Sequence, residues 1–253
     1  MSKDPAKLEK ALAKQARRDA RKAKDNARKE QIQSLPDVSR VNAKQSGSWS
    51  LLGCWVNQDW ADYRSINQLV VARKNAVGVV AIGLFLVDLG CLGIKNAMTR
   101  GFDSEFQFRG EFLELLNETQ TMQPCSLDFA AKMIQTAIAY AKGLGFEPHK
   151  DARKAMPILG EAHPENCTDD IPTGDENGRP FFFSGPYDNV TRIMNTLNRT
   201  VGEGNYEFMI GGDEDFLDEI DFDNLEFTRA EDDDEDFEDD DKTIDVVAKT
   251  QSA

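Results

Sequence analysis

Residues 66–98 read INQLVVARKNAVGVVAIGLFLVDLGCLGIKNAM, the densest apolar run in the chain. Residues 66–73 have strand chemistry, with Leu69, Val70 and Val71 aliphatic or β-branched. Lys74, Asn75 and Ala76 fit a short turn, in which Asn75 tolerates a left-handed conformation. Residues 77–87 then resume with Val, Ile, Leu and Phe, interrupted by Gly78 and Gly83. The pattern predicts a hairpin over 66–88 whose second strand is buried on both faces. A membrane helix is the alternative, because residues 77–94 carry only Asp88 as a charge. That run sits at the short end of the roughly 17–25 residues a span needs. It contains Gly78, Gly83, Gly90 and Gly93, and basic residues flank both its ends, so neither orientation is favoured. The hairpin is the better reading.

On the N-terminal side of the hairpin, residues 5–31 are rich in helix formers. Ala13, Ala16, Ala20, Ala23 and Ala27 make a narrow stripe, while Lys14, Arg17, Arg18, Arg21, Lys22 and Arg28 occupy the other faces. A stripe of methyl groups buries too little area to hold a helix firmly on a core. Residues 34–50 read as a linker, and Trp49, Trp55, Trp60 and Tyr63 as a docked lid or first core element. On the C-terminal side, residues 104–120 and 126–142 have helical periodicity, the second capped by Ser126 and stopped by Gly143 and Gly145. Asp151 is placed to cap a short helix that ends before Gly160. A weak strand, a turn over 175–178 and a strand over 179–184 follow. A helix capped by Asp188 and a last strand over 206–210 complete a β-α-β unit.

Charge divides the chain into three. Residues 1–45 carry 13 Lys/Arg against 6 Asp/Glu, and residues 211–253 carry 3 against 19. Between them, residues 46–210 are mildly acidic and large enough for one α+β domain, with a central, mostly antiparallel sheet and packed helices. The tail sets Phe216, Leu217, Ile220, Phe222, Leu225 and Phe227 among carboxylates. This composition builds no core of its own, reads as disordered and suits folding onto a basic partner, the chain's own arm included. Cys54, Cys91, Cys125 and Cys167 are scattered without a CxxC pair, His149 and His163 are the two histidines, and the N-terminus lacks a secretory apolar stretch. A cytoplasmic protein with no metal, no cofactor and no membrane partner is expected.

Three motifs, VVARK…GLFLVDLGCLGIKNA, GLGFEPHKDARKA…LG and ENGRPFFFSGPYD, together resemble a family of uncharacterised bacterial proteins over residues 50–210. The resemblance implies a shared body and brings no activity, cofactor or catalytic residue with it.

Three groups of residues are candidates for a site. Asp88, Cys91, Lys95 and Asn96 leave the buried strand together; a thiol near a lysine can be activated, although a thiol at a strand end is more often core. His149 and Asp151 have the spacing of a base and its orienter, against the plainer reading of a loop histidine beside a capping aspartate. Arg179 with Ser184, Tyr187 and Asp188 surrounds a strand-to-helix turn where free N–H groups suit an anion, though the turn lacks the glycine spacing and lysine of a P-loop. The leading expectation is a non-catalytic adaptor associated with RNA or the ribosome through residues 1–45 and modulated by the acidic tail. One alternative is an enzyme for a small anionic or phosphorylated substrate, with Lys95, His149 and the 184–188 turn in one cleft. The other is a protein-interaction module using residues 212–241.

Overall fold

The computed structural model describes residues 43–185 and 188–210, with six further positions of the arm. The hairpin is present as β2 (Asn67–Lys74) and β3 (Val80–Asp88), paired antiparallel from Asn67↔Val87 to Lys74↔Val80. Asn75 works through its side chain: its Oδ1 accepts from the N–H groups of Val77 and Val79, and Gly78 takes a positive φ of +95°. A single asparagine oxygen thus closes the turn.

Two further strands extend the hairpin. β1 (Ser50–Asn57) lies inside the sheet, so the Trp-rich segment is a strand rather than a lid. Trp55 packs on Phe108 and Trp60 edge-on against Phe129. β4 (Gly93–Phe102), which the sequence reading left as a polar exit, pairs with β3 along its length. It is an edge strand, and edges tolerate the Lys95, Asn96, Thr99 and Arg100 that disguise it. With β5 (Met122–Cys125) the order is β4-β3-β2-β1-β5, and neighbouring strands of this sheet pair antiparallel. A short helix α1 (Ala43–Ser46) precedes β1 and buries Ala43 and Ser46, so the body begins slightly before residue 46.

Both faces of the sheet are covered, which is why β2 and β3 read as nearly continuous apolar runs. One face, with Val70, Ala72, Ile82 and Phe102, packs under α2, a helix in three pieces (Glu105–Gln107, Phe108–Leu113 and Glu114–Asn117) whose middle piece has π geometry. The other face, with Leu69, Val71, Phe85 and Val87, packs on α3 (Leu127–Gly143), α4 (Ala152–Ala155) and the 3-10 turn Met156–Leu159. Ser126 caps α3 as expected, its Oγ accepting from Phe129 N. Asp151 stands at the start of α4 but makes no capping bond, because its carboxylate pairs with Lys154 instead. The weak strand expected before residue 175 is not formed among the described residues.

The β-α-β unit is present: β6 (Phe181–Ser184) and β7 (Glu207–Ile210) are parallel and joined by α5 (Val190–Thr200). Its small core, Phe182, Met194 and Leu197, closes over Cys91 in the β3–β4 turn. No helix among the described residues is long and apolar enough to cross a membrane. The arm cations, Tyr187 and the acidic tail lie outside the described residues.

Candidate functional site

Lys95 is the extra residue of a β-bulge. The β3–β4 register passes from Leu86↔Asn96 to Val87↔Ile94, leaving Lys95 without a partner. Bulges re-aim side chains, and this one sends the ammonium across to the β-α-β unit. There Lys95 Nζ donates to Asp188 Oδ2 at 2.5 Å, both side chains about 15% exposed or less. The same oxygen accepts from Gly185 N at 2.6 Å. Asp188 is therefore not the cap of α5; Asn189 is, its Oδ1 accepting from Arg192 N. A Cβ on Gly185 would sit 3.1 Å from Asp188 Oδ2, so glycine lets the carboxylate fold back onto its backbone.

Asp88 lies at the end of β3, 2% exposed. Its Oδ1 accepts from Cys91 N at 2.9 Å, and its Oδ2 is buried without a hydrogen-bond partner. Burial pushes this carboxyl above the usual range, against the pull of Lys95 and the N–H groups of the turn. Burial likewise raises the Cys91 thiol, with the Asp88 charge adding to the effect, and at 0% exposure Cys91 is a core thiol that no reagent reaches.

Sequence reasoning missed Tyr140. Its hydroxyl, on α3, is buried without a partner and lies 2.7 Å from where a Cβ of Gly174 would be. The available signal was a large polar-tipped ring interrupting the alanine-rich stripe of α3.

The remaining candidates are engaged elsewhere. Asn96 is exposed, and its side chain accepts from Ala97 N. His149 N donates to Ile94 O, while its Nδ1 accepts from Asp151 N at 3.3 Å and stands 3.7 Å from Asp151 Oδ2. The Lys154 hydrogen bond holds the Asp151 carboxyl below its ordinary value. Arg179 pairs with Asp175 and Glu207, tying the 175–178 turn to β7. Ser184 is buried at the end of β6, next to Gly185. The structure thus gathers Asp88, Cys91, Lys95 and Asp188 at one joint, with Ser184 next to Gly185 and His149 tied to the neighbouring Ile94 through its N–H, while Asp151 pairs with Lys154 and Arg179 with Asp175 and Glu207.

Chemically this joint is a clamp. An anion approaching Lys95 must first displace Asp188, which already has the ammonium and the Gly185 N–H, the donors such a ligand would use. At the same end of the sheet an open cleft of about 460 Å³ is lined by Gln58, Asp59, Thr119, Gln120 and Thr121. Behind it runs a chain of amides in which Gln68 Nε2 donates to Gln120 Oε1 and Asn57 Oδ1 accepts from Gln68 N. No group of three or more His, Cys, Asp or Glu among the described residues is placed to hold a metal ion.

No family model matches the chain, and neither a curated protein nor a solved structure does.

Proposed function

We propose that this chain is a non-catalytic cytoplasmic adaptor that binds the phosphate backbone of RNA, that of the ribosome included, through its basic arm, with the acidic tail tuning the contact. The observation that carries this reading is the state of the arm. At the described positions of the arm, Ala16, Asp19, Ala20, Ala23, Asn26 and Ala27 are helical and exposed. A segment with a net charge of +7, helical and exposed at its described positions, is suited to follow phosphates and release their counterions. The engagement of Lys95 by Asp188 and of Arg179 by two carboxylates supports the arm, rather than the body, as the cationic surface.

The test is RNA binding by the full chain and by an R17E/R18E/R21E/K22E variant across a salt series. Wild-type affinity should fall linearly in log–log form with salt, and the variant should bind weakly at every salt concentration. Equal affinities, or a flat salt response, would remove the reading.

A further inference from the structure

Cys54, Cys125 and Cys167, far apart in the sequence, meet on the face of the sheet that carries α3. Cys54 and Cys125 are direct register partners on β1 and β5, so their side chains leave the sheet opposite each other. Cys54 is a buried member of the core, and Cys125 and Cys167 are half-buried against the same core. All three are free thiols. Opposed residues of an antiparallel pair have Cα atoms about 4.5–5.5 Å apart, within the roughly 4.4–6.8 Å that a disulfide spans.

We propose that Cys54 and Cys125 form an oxidation site that hydrogen peroxide converts into a cross-strand disulfide. Cys125 is the entry point, because it is half-exposed and ends a four-residue edge strand. Its Sγ attacks one peroxide oxygen, the O–O bond breaks, and the thiol proton leaves with the other oxygen as water. Cys54 Sγ then attacks the resulting sulfenic sulfur; its own proton and the hydroxyl leave as a second water, and the Sγ–Sγ bond forms. Two thiols are oxidised and one peroxide is reduced to two waters.

Cys167 is the poorer partner, since its Sγ is turned toward Asp169 Oδ2 at 3.5 Å. Cys91 is enclosed in the β3–β4 turn at the far side of the sheet. Burial raises the Cys54 thiol to about 12 and lifts Cys125 as well. The reaction is therefore slow near neutrality and accelerates with pH as the thiolate fraction grows, about tenfold per unit. The bond would fasten the edge strand, and the Ser126 cap that follows it, to the middle of the sheet.

The test is peroxide treatment of the full-length protein between neutral and mildly alkaline pH, then alkylation, intact mass and a non-reducing peptide map. Before alkylation the protein should weigh about 2 Da less, the two thiol hydrogens, and after it two of its 4 cysteines should carry the alkyl group. A Cys54–Cys125 linked peptide should appear, Cys91 and Cys167 should be alkylated, and a dithiol should reverse the change. Cys167→Ser should leave the reaction intact and Cys125→Ser should abolish it. The wild-type map alone decides the matter if a variant fails to fold. A Cys125–Cys167 link, or over-oxidised thiols with no link, would overturn the proposal.

Discussion

Lys95 Nζ lies 2.5 Å from Asp188 Oδ2, although 93 residues separate the two in the chain. The contact joins the bulged edge strand to the turn between β6 and α5, and so fastens the β-α-β unit to the main sheet. Removing one partner of a buried pair strands the other, at a cost of about 3–5 kcal/mol when burial is complete. These side chains keep some solvent access, so Lys95→Met should cost about 2–3 kcal/mol in urea unfolding. Asp188→Asn should cost less, because the Asp88 carboxyl remains as a second group for the ammonium and the amide oxygen still accepts from Gly185 N. A double-mutant cycle should return a coupling of about 1–3 kcal/mol; additive losses would mean that the pair is not the fastening.

Asp88 sets a pH dependence whose sign is fixed by its burial. Its folded-state pKa is raised above the ordinary 3.8. A raised carboxyl contributes stability that is fully present below the unfolded value and is lost as pH climbs through the folded value. Wild-type stability should therefore fall, relative to Asp88→Asn, as pH rises from about 4 toward neutrality. The amide oxygen can still accept from Cys91 N, so the variant should fold. Urea midpoints of the two proteins, followed over that range, check this; parallel curves would mean that folding does not raise the Asp88 pKa.

The hairpin was legible because its β-branched runs and turn chemistry agree over more than twenty residues, and α3 because its cap, stripe and glycine stop agree as well. β4 was not, since an edge strand needs no apolar alternation and Lys95 breaks its period with a bulge. Asp188 and Asn189 are both good caps; the choice fell to Asn189 because Lys95, invisible at that distance in sequence, holds Asp188. The grouping of Asp88, Cys91 and Lys95 was legible as a local cluster. Its closure by Ser184 and Asp188 was not, because it depends on how the β-α-β unit docks. Tyr140 was hidden for the same reason: its partner surface, Gly174, lies on a loop without periodicity.

Arg73 is a second long-range fastening, and its hydrogen bonds go to backbone carbonyls. Its guanidinium donates to the carbonyls of Ile158 at 2.6 Å, Leu159 at 2.7 Å and Trp49 at 2.8 Å. Arg73→Met leaves three carbonyls short of a donor, and should lower stability by about 2–4 kcal/mol. Arg73→Lys should recover less than half of that, because one ammonium lacks the fork that reaches three separate acceptors. Gly160→Ala should be nearly as damaging: the residue has φ +55°, and its Cβ would fall 2.6 Å from Arg73 Nη2 and 2.3 Å from Gly47 O. Chemical denaturation of the three variants tests the set, and a lysine variant as stable as wild type would show that charge rather than geometry matters.

Tyr140 and Gly174 make the opposite kind of pair, one side tolerant and the other rigid. The Tyr140 hydroxyl is buried with no partner, so deleting it removes a desolvated polar group and leaves the ring packing in place. Tyr140→Phe should be neutral or stabilising by up to about 1 kcal/mol. Gly174 has φ +74°, and a Cβ there would approach Arg179 O at 2.5 Å and Tyr140 Oη at 2.7 Å. Gly174→Ala should therefore lose about 2 kcal/mol or more, from the strained backbone and the contact with a carbonyl that cannot move aside. In the background of Tyr140→Phe part of that loss should return, because one of the three obstructing atoms is gone. Thermal and urea unfolding of the two single variants and the double variant measure this. A Tyr140→Phe loss above about 1 kcal/mol would show that the hydroxyl is hydrogen-bonded in the folded protein.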